Sequence, residues 1–281
     1  MKDLFKNHKL VIIGGAGAIG ASFLDAAFSQ GASCAVIGRN DPCKNVPFYA
    51  ADITCLDELS GAADQAISSL QGIDTVVNFA GTHHAVMDFC KDDPQVLLSE
   101  YRRVMDVNLT GAFLSTMIFS KRMVSQRHGH ILHLCSNASR LSLYGSYAYN
   151  ISKHGLEGLI KTAAAQLAPF GVRVNGVAPG TVETPMNRGL LSSGVNGGYS
   201  LRAKSILAHT PTKKFATLDG ITETLLAACM PQRHLTGNVI FCDDGYNIEG
   251  HSWPEGNSAM YAGDEDLKAF FSQLNHDYPH D

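Results

Sequence analysis

The chain has 281 residues, of which 45% are hydrophobic and 17% charged, and a formal net charge of −4. That length suits one large α/β domain with a sizeable core, and the mildly acidic balance argues against nucleic acid or an anionic membrane as partner. No apolar run approaches the roughly 18 residues of a membrane span, the segment from Met1 to Lys9 lacks a signal-peptide core, and seven cysteines without C-x-x-C spacing suit reduced thiols; a cytoplasmic location is the expectation.

The first apolar run, Leu10-Val11-Ile12-Ile13, predicts a buried strand. It leads into Gly14-Gly15-Ala16-Gly17-Ala18-Ile19-Gly20, where Gly15, Gly17 and Gly20 satisfy G-x-G-x-x-G. A helix is expected over residues 21–30, with Ile19, Phe23 and Ala27 at helical spacing and Gly31 as its stop. Strand, glycine turn and helix form the context in which backbone N–H groups cradle a phosphate. A plain surface turn is the bland reading of the glycines alone.

Residues 33–38 and 47–53 read as the second and third strands, with Thr54-Cys55-Leu56-Asp57 resembling a capping box for the next helix. Residues 74–81 predict a fourth strand running into a turn, followed by a helix through 101–108. Residues 130–136 read as the fifth strand. The helix carrying Tyr149 runs to about Leu167, ended by Pro169 and Gly171. Residues 172–177 and 239–242 give the sixth and seventh strands. This alternation predicts an α/β fold, a Rossmann-type doubly wound parallel sheet of about seven strands with helices on both faces. Ligands of such sheets sit beyond the carboxyl ends of the strands. Gly14, Asp52, Asn78, Ser136 and Pro179 lie at such ends and are expected to converge on one crevice. Residues 1–249 read as a single catalytic domain. Residues 250–281, with the only tryptophan, Trp253, read as an extension packed on that domain or on a neighbouring subunit.

Tyr149 and Lys153 stand four apart, on one face of the predicted helix. An ammonium beside a phenol favours the phenolate, which brings such a hydroxyl down from its free value of about 10 towards use as an acid or base near neutral pH. Tyr144 and Tyr147 compete for the proton role, but neither has a lysine four residues on. His83-His84 and His128, His130 and His133 raise a metal reading. Alternation along a strand puts His130 and His133 on opposite faces, and no metal is expected.

Taken together, these motifs resemble those of the short-chain dehydrogenase/reductase family over roughly residues 8–246. The resemblance rests on the Gly14–Gly20 turn, Asn78-Phe79-Ala80-Gly81, Asn108 in Val107-Asn108-Leu109-Thr110-Gly111, Ser136 thirteen residues before Tyr149, Lys153, the segment Pro179-Gly180-Thr181-Val182-Glu183-Thr184, and Asp243-Asp244-Gly245. Four positions depart from the family pattern: Ile13 for a threonine, Ala18 for a glycine, Phe79 for an asparagine and Asp244 for a glycine. None removes a group needed for hydride transfer. The resemblance implies an NAD(P)-dependent oxidoreductase interconverting a secondary alcohol and a ketone. In that reading Tyr149 transfers the proton, Lys153 holds the nicotinamide ribose, Ser136 binds the substrate oxygen and Asn108 supports a proton-relaying water. Gly14, Gly17, Ala18, Ile19, Gly20, Arg39, Asp52, Ile53, Asn78, Ala80, Gly81, Tyr149, Lys153, Pro179, Gly180, Val182 and Thr184 are the expected cofactor contacts.

At the end of the second strand an NAD-selecting site carries an acid for the ribose 2′-hydroxyl. Here Gly38 is followed by Arg39, which suits a 2′-phosphate, so NADP is favoured over NAD, although Asp41 lies close. The resemblance also implies a homo-oligomer, tetramer or dimer, formed through the helices carrying Asn108 and Tyr149. Residues 184–215, rich in glycine, read as a lid. Two other functions stay open: a sugar-nucleotide epimerase or dehydratase of the extended branch, since Gly14, Gly17 and Gly20 also fit G-x-x-G-x-x-G, and a non-catalytic dinucleotide sensor, whose usual mark is a lost Tyr or Lys.

Overall fold

A computed structural model describes residues 4–143, 145–192, 198–230, 234–248, 265 and 269. The extension expected from residue 250 onwards lies outside the described residues apart from Glu265 and Ala269. The chain divides into two compact units, Met1–Pro179 with Leu218–Cys242, and Gly180–Thr217 with Asp243–Asp281.

The first unit holds seven parallel strands: β1 (Lys9–Ile13), β2 (Ser33–Gly38), β3 (Phe48–Ala50), β4 (Thr75–Asn78), β5 (Gly129–Leu134), β6 (Val172–Pro179) and β7 (Val239–Cys242). Their order is β3-β2-β1-β4-β5-β6-β7, the doubly wound arrangement expected from the sequence. Because β2 and β3 lie on one side of β1 and β4 on the other, the strand order reverses between β1 and β4, the place where such sheets open a ligand crevice. Register brings the strand ends level there, with Ile13 opposite both Ile37 and Asn78.

The strands are apolar on both faces, as a sheet covered on both sides requires. On one face, α2 (Leu56–Leu70), α4 (Gly111–Gln126) and α5 (Tyr147–Leu167) bury Leu59, Ile67, Phe119, Met123, Leu156 and Ile160 against Val11, Ile37, Ile131 and Val174. On the other, α1 (Ala18–Ser29) and α8 (Leu218–Cys229) pack together and are joined by Ser22 Oγ and Thr222 Oγ1 at 2.8 Å. The first helix therefore starts at Ala18, three residues earlier than expected, directly on the glycine turn.

Three other local expectations need correction. The third strand is only Phe48–Ala50. The capping box does not form, because Asp52 takes Thr54 instead: its Oδ1 accepts from Thr54 N at 2.9 Å and Thr54 Oγ1 at 2.8 Å. Cys55 is left as the N-cap of α2 without a side-chain bond, and Glu58 Oε2 accepts from Asp52 N at 2.9 Å. The helix placed over residues 101–108 is the end of a longer one, α3 (Pro94–Met105), which passes through a π-helical turn, Asp106–Thr110, straight into α4. Asp93 caps α3 by accepting from Gln95 N and Val96 N, and Pro94 fills the first helical position.

Within the second unit, α6 (Arg188–Leu191) and α7 (Leu201–His209) flank an antiparallel bridge between Ser192 and Tyr199. Asn187 ties down the segment after β6, accepting from Thr184 N at 2.9 Å and donating to Val182 O at 2.7 Å. Asp244 adopts φ +56°, a left-handed conformation that favours glycine but that a short polar side chain tolerates. Aspartate is thus tolerated at this departure from the pattern the sequence resembles.

Two buried histidines of β5 are part of this frame. Thr116 Oγ1 donates to Ala112 O at 2.8 Å, so it accepts from His133 Nε2–H at 3.0 Å. His130 Nε2 accepts from Asn175 Nδ2 at 3.1 Å. Burial, reinforced by the Lys153 charge, pushes the His133 imidazole down to about 3. A histidine held neutral in this way contributes stability that is present above its unfolded value of about 6.5 and is lost as pH falls towards the folded value. His133→Leu is expected to flatten the acid limb of the stability curve between pH 6.5 and 3 relative to wild type, removing up to about 1.4 kcal/mol of dependence per pH unit. Urea unfolding across that pH range reads the difference, and parallel curves would refute it.

Candidate active site

The glycine turn is shaped by contact and not only by flexibility. Gly14 has φ +78°, and a Cβ there would lie 2.8 Å from Ala80 N. A Cβ on Gly20 would meet Gly14 O at 2.5 Å. The turn thus folds onto itself and onto the segment after β4. Gly17 is the N-cap of α1, so no side chain caps the first turn of that helix, and no acidic residue occupies it. Open N–H donors at a helix N-terminus, with backbone instead of side chains around them, fit the pyrophosphate of a dinucleotide. Ala18 and Ile19 sit in that first turn.

Asn78 ends β4. Its Oδ1 accepts from Ala80 N at 2.9 Å, fixing the Ala80-Gly81 turn beside Gly14. Phe79, one of the departures from the pattern the sequence resembles, is buried against Phe23 of α1 with ring centroids 5.3 Å apart. Gly38 ends β2 and packs near Gly14, whereas Arg39 is exposed and makes no hydrogen bond or ion pair with the described residues. Asp41 is engaged in its own turn, its Oδ1 accepting from Cys43 N at 2.7 Å. Bonds from Thr54, with a smaller contribution from the Arg39 charge, hold the Asp52 carboxyl below the usual range. Ile53 is buried against the backbone of Gly111, where a Cβ would come within 2.9 Å of it. Pro179 ends β6. Gly180, Val182 and Thr184 belong to the second unit.

The side chains expected to handle the proton gather around α5. Lys153 is buried, and its Nζ donates to Leu134 O at 2.7 Å while lying 5.6 Å from the Tyr149 ring centroid. The Tyr149 hydroxyl is half-buried and has no hydrogen-bond partner among the described residues. Tyr147 is different: its hydroxyl donates to Leu97 O at 2.6 Å, and burial with the nearby Glu100 and Asp92 carboxylates pushes it up. Tyr147 is thus committed to structure, and Tyr144 lies outside the described residues. Ser136 caps a short 3₁₀ turn, its Oγ accepting from Ala138 N at 3.2 Å. A hydroxyl that accepts in this way keeps its own hydrogen to donate.

Asn108 lies in the π-helical turn and is buried. Its Oδ1 accepts from Thr82 N at 2.7 Å, and its Nδ2 donates to Thr82 O and to Ser152 Oγ, both at 3.0 Å. The amide therefore ties the loop after β4 to the residue preceding Lys153. Thr82 and Ser152 carry no motif signal of their own in the sequence. Nor does Arg103, whose Nη1 donates to Thr82 Oγ1 and Nη2 to His83 O, both at 2.8 Å. Among the described residues no group of three His, Cys, Asp or Glu side chains is arranged to hold an ion. The His83 ring lies against Tyr149, centroids 4.6 Å apart.

Residues 8–193 match the family model described as short chain dehydrogenase. Xanthoxin dehydrogenase of Arabidopsis thaliana is 28% identical, over 86% of this chain and 90% of that protein. The mitochondrial borneol dehydrogenase of Lavandula x intermedia is 29% identical over 85% and 90%. Among solved structures, ElxO with NADP bound superposes with a TM-score of 0.75 at 22% identity, covering 85% of this chain and 98% of that one. The chain belongs to the short-chain dehydrogenase/reductase family. It is an NAD(P)-dependent oxidoreductase acting on CH–OH groups. No helix among the described residues is long and apolar enough to cross a membrane.

Proposed function

We propose that the enzyme interconverts a secondary alcohol and a ketone, with Tyr149 taking the hydroxyl proton in oxidation and returning it in reduction. The observation that carries this reading is the pairing on α5, a Tyr149 phenol without a hydrogen bond among the described residues and the Lys153 ammonium 5.6 Å from its ring centroid. The bound dinucleotide accepts or supplies the hydride. Lys153 spends one of its three donors on Leu134 O, so two remain for ribose hydroxyls and for the phenol side of the site. Ser136 donates to the substrate oxygen, whose negative charge grows during reduction. Asn108 acts in this reading through Thr82 and Ser152, holding the loop and the helix that frame Tyr149. An intact Tyr149 and Lys153 count against a purely sensing role. The relatives named for xanthoxin and borneol make bulky cyclic alcohols the first to assay, with borneol, cyclohexanol and glucose as a panel. Tyr149→Phe is expected to abolish turnover of whichever alcohol the wild type oxidises while NADPH binding, read by fluorescence, persists. Wild-type turnover in that variant would end the mechanism.

NADP is the preferred cofactor in this reading. Arg39 stands exposed at the end of β2 with no hydrogen bond or ion pair among the described residues, and the nearby Asp41 is occupied by Cys43 N. Loss of a charge-assisted contact to a 2′-phosphate costs about tenfold or more in affinity. Arg39→Ala is expected to weaken NADPH by that factor and NADH far less; equal losses would show that Arg39 does not read the phosphate.

The active form is proposed to be a homo-oligomer, built through α4 and α5. Phe113 and Ile151, 52% and 44% exposed, place large apolar side chains on these two helices. A groove of about 910 Å³ between α2 and α4, lined by Asp57 and Asp64 on one wall and Lys121 and Arg122 on the other, adds complementary charge. Paired Phe113→Asp and Ile151→Asp changes are expected to reduce the solution mass to that of the monomer. A monomeric wild type in sedimentation would overturn the proposal.

A further inference from the structure

The loop after β4 brings two histidines against the two tyrosines that open α5. His83 lies 4.6 Å from Tyr149, His84 lies 5.2 Å from His83 with the rings 26° apart, and His84 lies 4.7 Å from Tyr147. The four rings form a closed ladder whose ends are both on the first turn of α5. Three of the four rings carry a hydrogen bond of their own. His83 Nδ1 donates to His84 O, and His84 Nδ1 donates to Ala85 O at 2.6 Å. His84 is 4% exposed. Tyr147 is anchored to Leu97 O. Arg103, itself paired with Glu100 Oε2 at 2.6 Å, grips the main chain at His83 O and the side chain of Thr82. Asn108 grips Thr82 from the opposite side. Among the described residues the Tyr149 hydroxyl has no hydrogen-bond partner, and neither has the buried Nε2 of His84.

We propose that His83 is a positioning residue, the ring wall that holds the Tyr149 phenol in the orientation needed for proton transfer. A half-buried phenol without a hydrogen bond among the described residues relies on packing to hold its χ1 rotamer, the torsion that sets where the hydroxyl lies. Displacing a reacting group by about 1 Å costs up to about a hundredfold in rate. The wall acts through shape: the ring matters, and its nitrogens serve to lock the ring to His84. This inference rests on the reading of Tyr149 as the proton-transfer group.

The test compares His83→Ala and His83→Phe as NADP holoenzymes, with Tyr149→Phe as the control for the proton role. The probe is the alcohol of the borneol, cyclohexanol and glucose panel with the highest wild-type turnover. His83→Ala is expected to lower kcat about 10- to 100-fold with NADPH affinity within about twofold of wild type. His83→Phe, which keeps a flat ring, is expected to restore most of kcat. Wild-type kcat in His83→Ala, or a loss that His83→Phe fails to restore, overturns the proposal. Should His83→Ala not bind NADPH, His83→Phe decides alone, near-wild-type kcat supporting the wall and a comparable loss refuting it. Should no panel alcohol be turned over, crystal structures decide: a Tyr149 ring displaced in His83→Ala and restored in His83→Phe supports the wall, and an unmoved ring refutes it. An inactive Tyr149→Phe beside a fully active His83→Ala discards this inference alone, whereas an active Tyr149→Phe discards the proton-transfer reading itself.

Discussion

One side-chain amide joins the three pieces of chain from which the site is made. Asn108 sits where α3 passes into α4, reaches both polar groups of the Thr82 main chain, and holds the Ser152 hydroxyl with its remaining donor. A buried amide can do this only if nearly all its bonding capacity is met, because each buried group left unpaired costs about 1–3 kcal/mol. Its geometry therefore fixes the Thr82 loop, the helix start at Tyr149 and the lysine after Ser152 relative to one another. Arg103 on α3 and the paired rings of His83 and His84 extend the same constraint outward.

The glycine turn proposed to hold the dinucleotide works by absence of side chains. Gly14 and Gly20 are needed because backbone atoms occupy the space a Cβ would take, and Gly17 leaves the first turn of α1 uncapped. The same logic relates Phe79 to Phe23. With the turn closed by main chain, the asparagine of relatives can give way to an aromatic that packs on α1 without disturbing the donors of the helix start. The sheet order then sets the β1 and β4 ends side by side, so the phosphate cradle and the Asn78 turn share one edge.

Much of this was legible in the sequence, for identifiable reasons. The strands were readable because a sheet covered on both faces requires continuous apolar runs, and the glycine turn because a phosphate cradle demands small residues at fixed spacing. Tyr149 and Lys153 were visible as an i, i+4 pair, and Asp93-Pro94 was a readable helix start that the expected helix over 101–108 missed. What escaped depends on contacts between distant segments. Thr82, Ser152 and Arg103 carry no local signal, since their importance comes from Asn108 and His83 being folded next to them. The capping box failed because Asp52, outside the four-residue pattern, competes for Thr54. His83-His84 drew attention for metal chemistry, yet their rings are used for packing against Tyr149 and Tyr147.

The π-helical turn at Asp106–Thr110 sets the angular phase of everything that follows it. Such a turn accommodates one residue more than an α-helix would, and one residue corresponds to a rotation of about 100°. The continuous rod formed by α3 and α4 can therefore present Val104 to the small cluster with Tyr147 and Ala148 and, after the reset, present Ala112, Phe119 and Met123 to the sheet. A strictly α-helical rod would rotate one of these faces by about 100° relative to the other. The extra residue works as a phase corrector between two packing surfaces, and Asn108 occupies the point of correction.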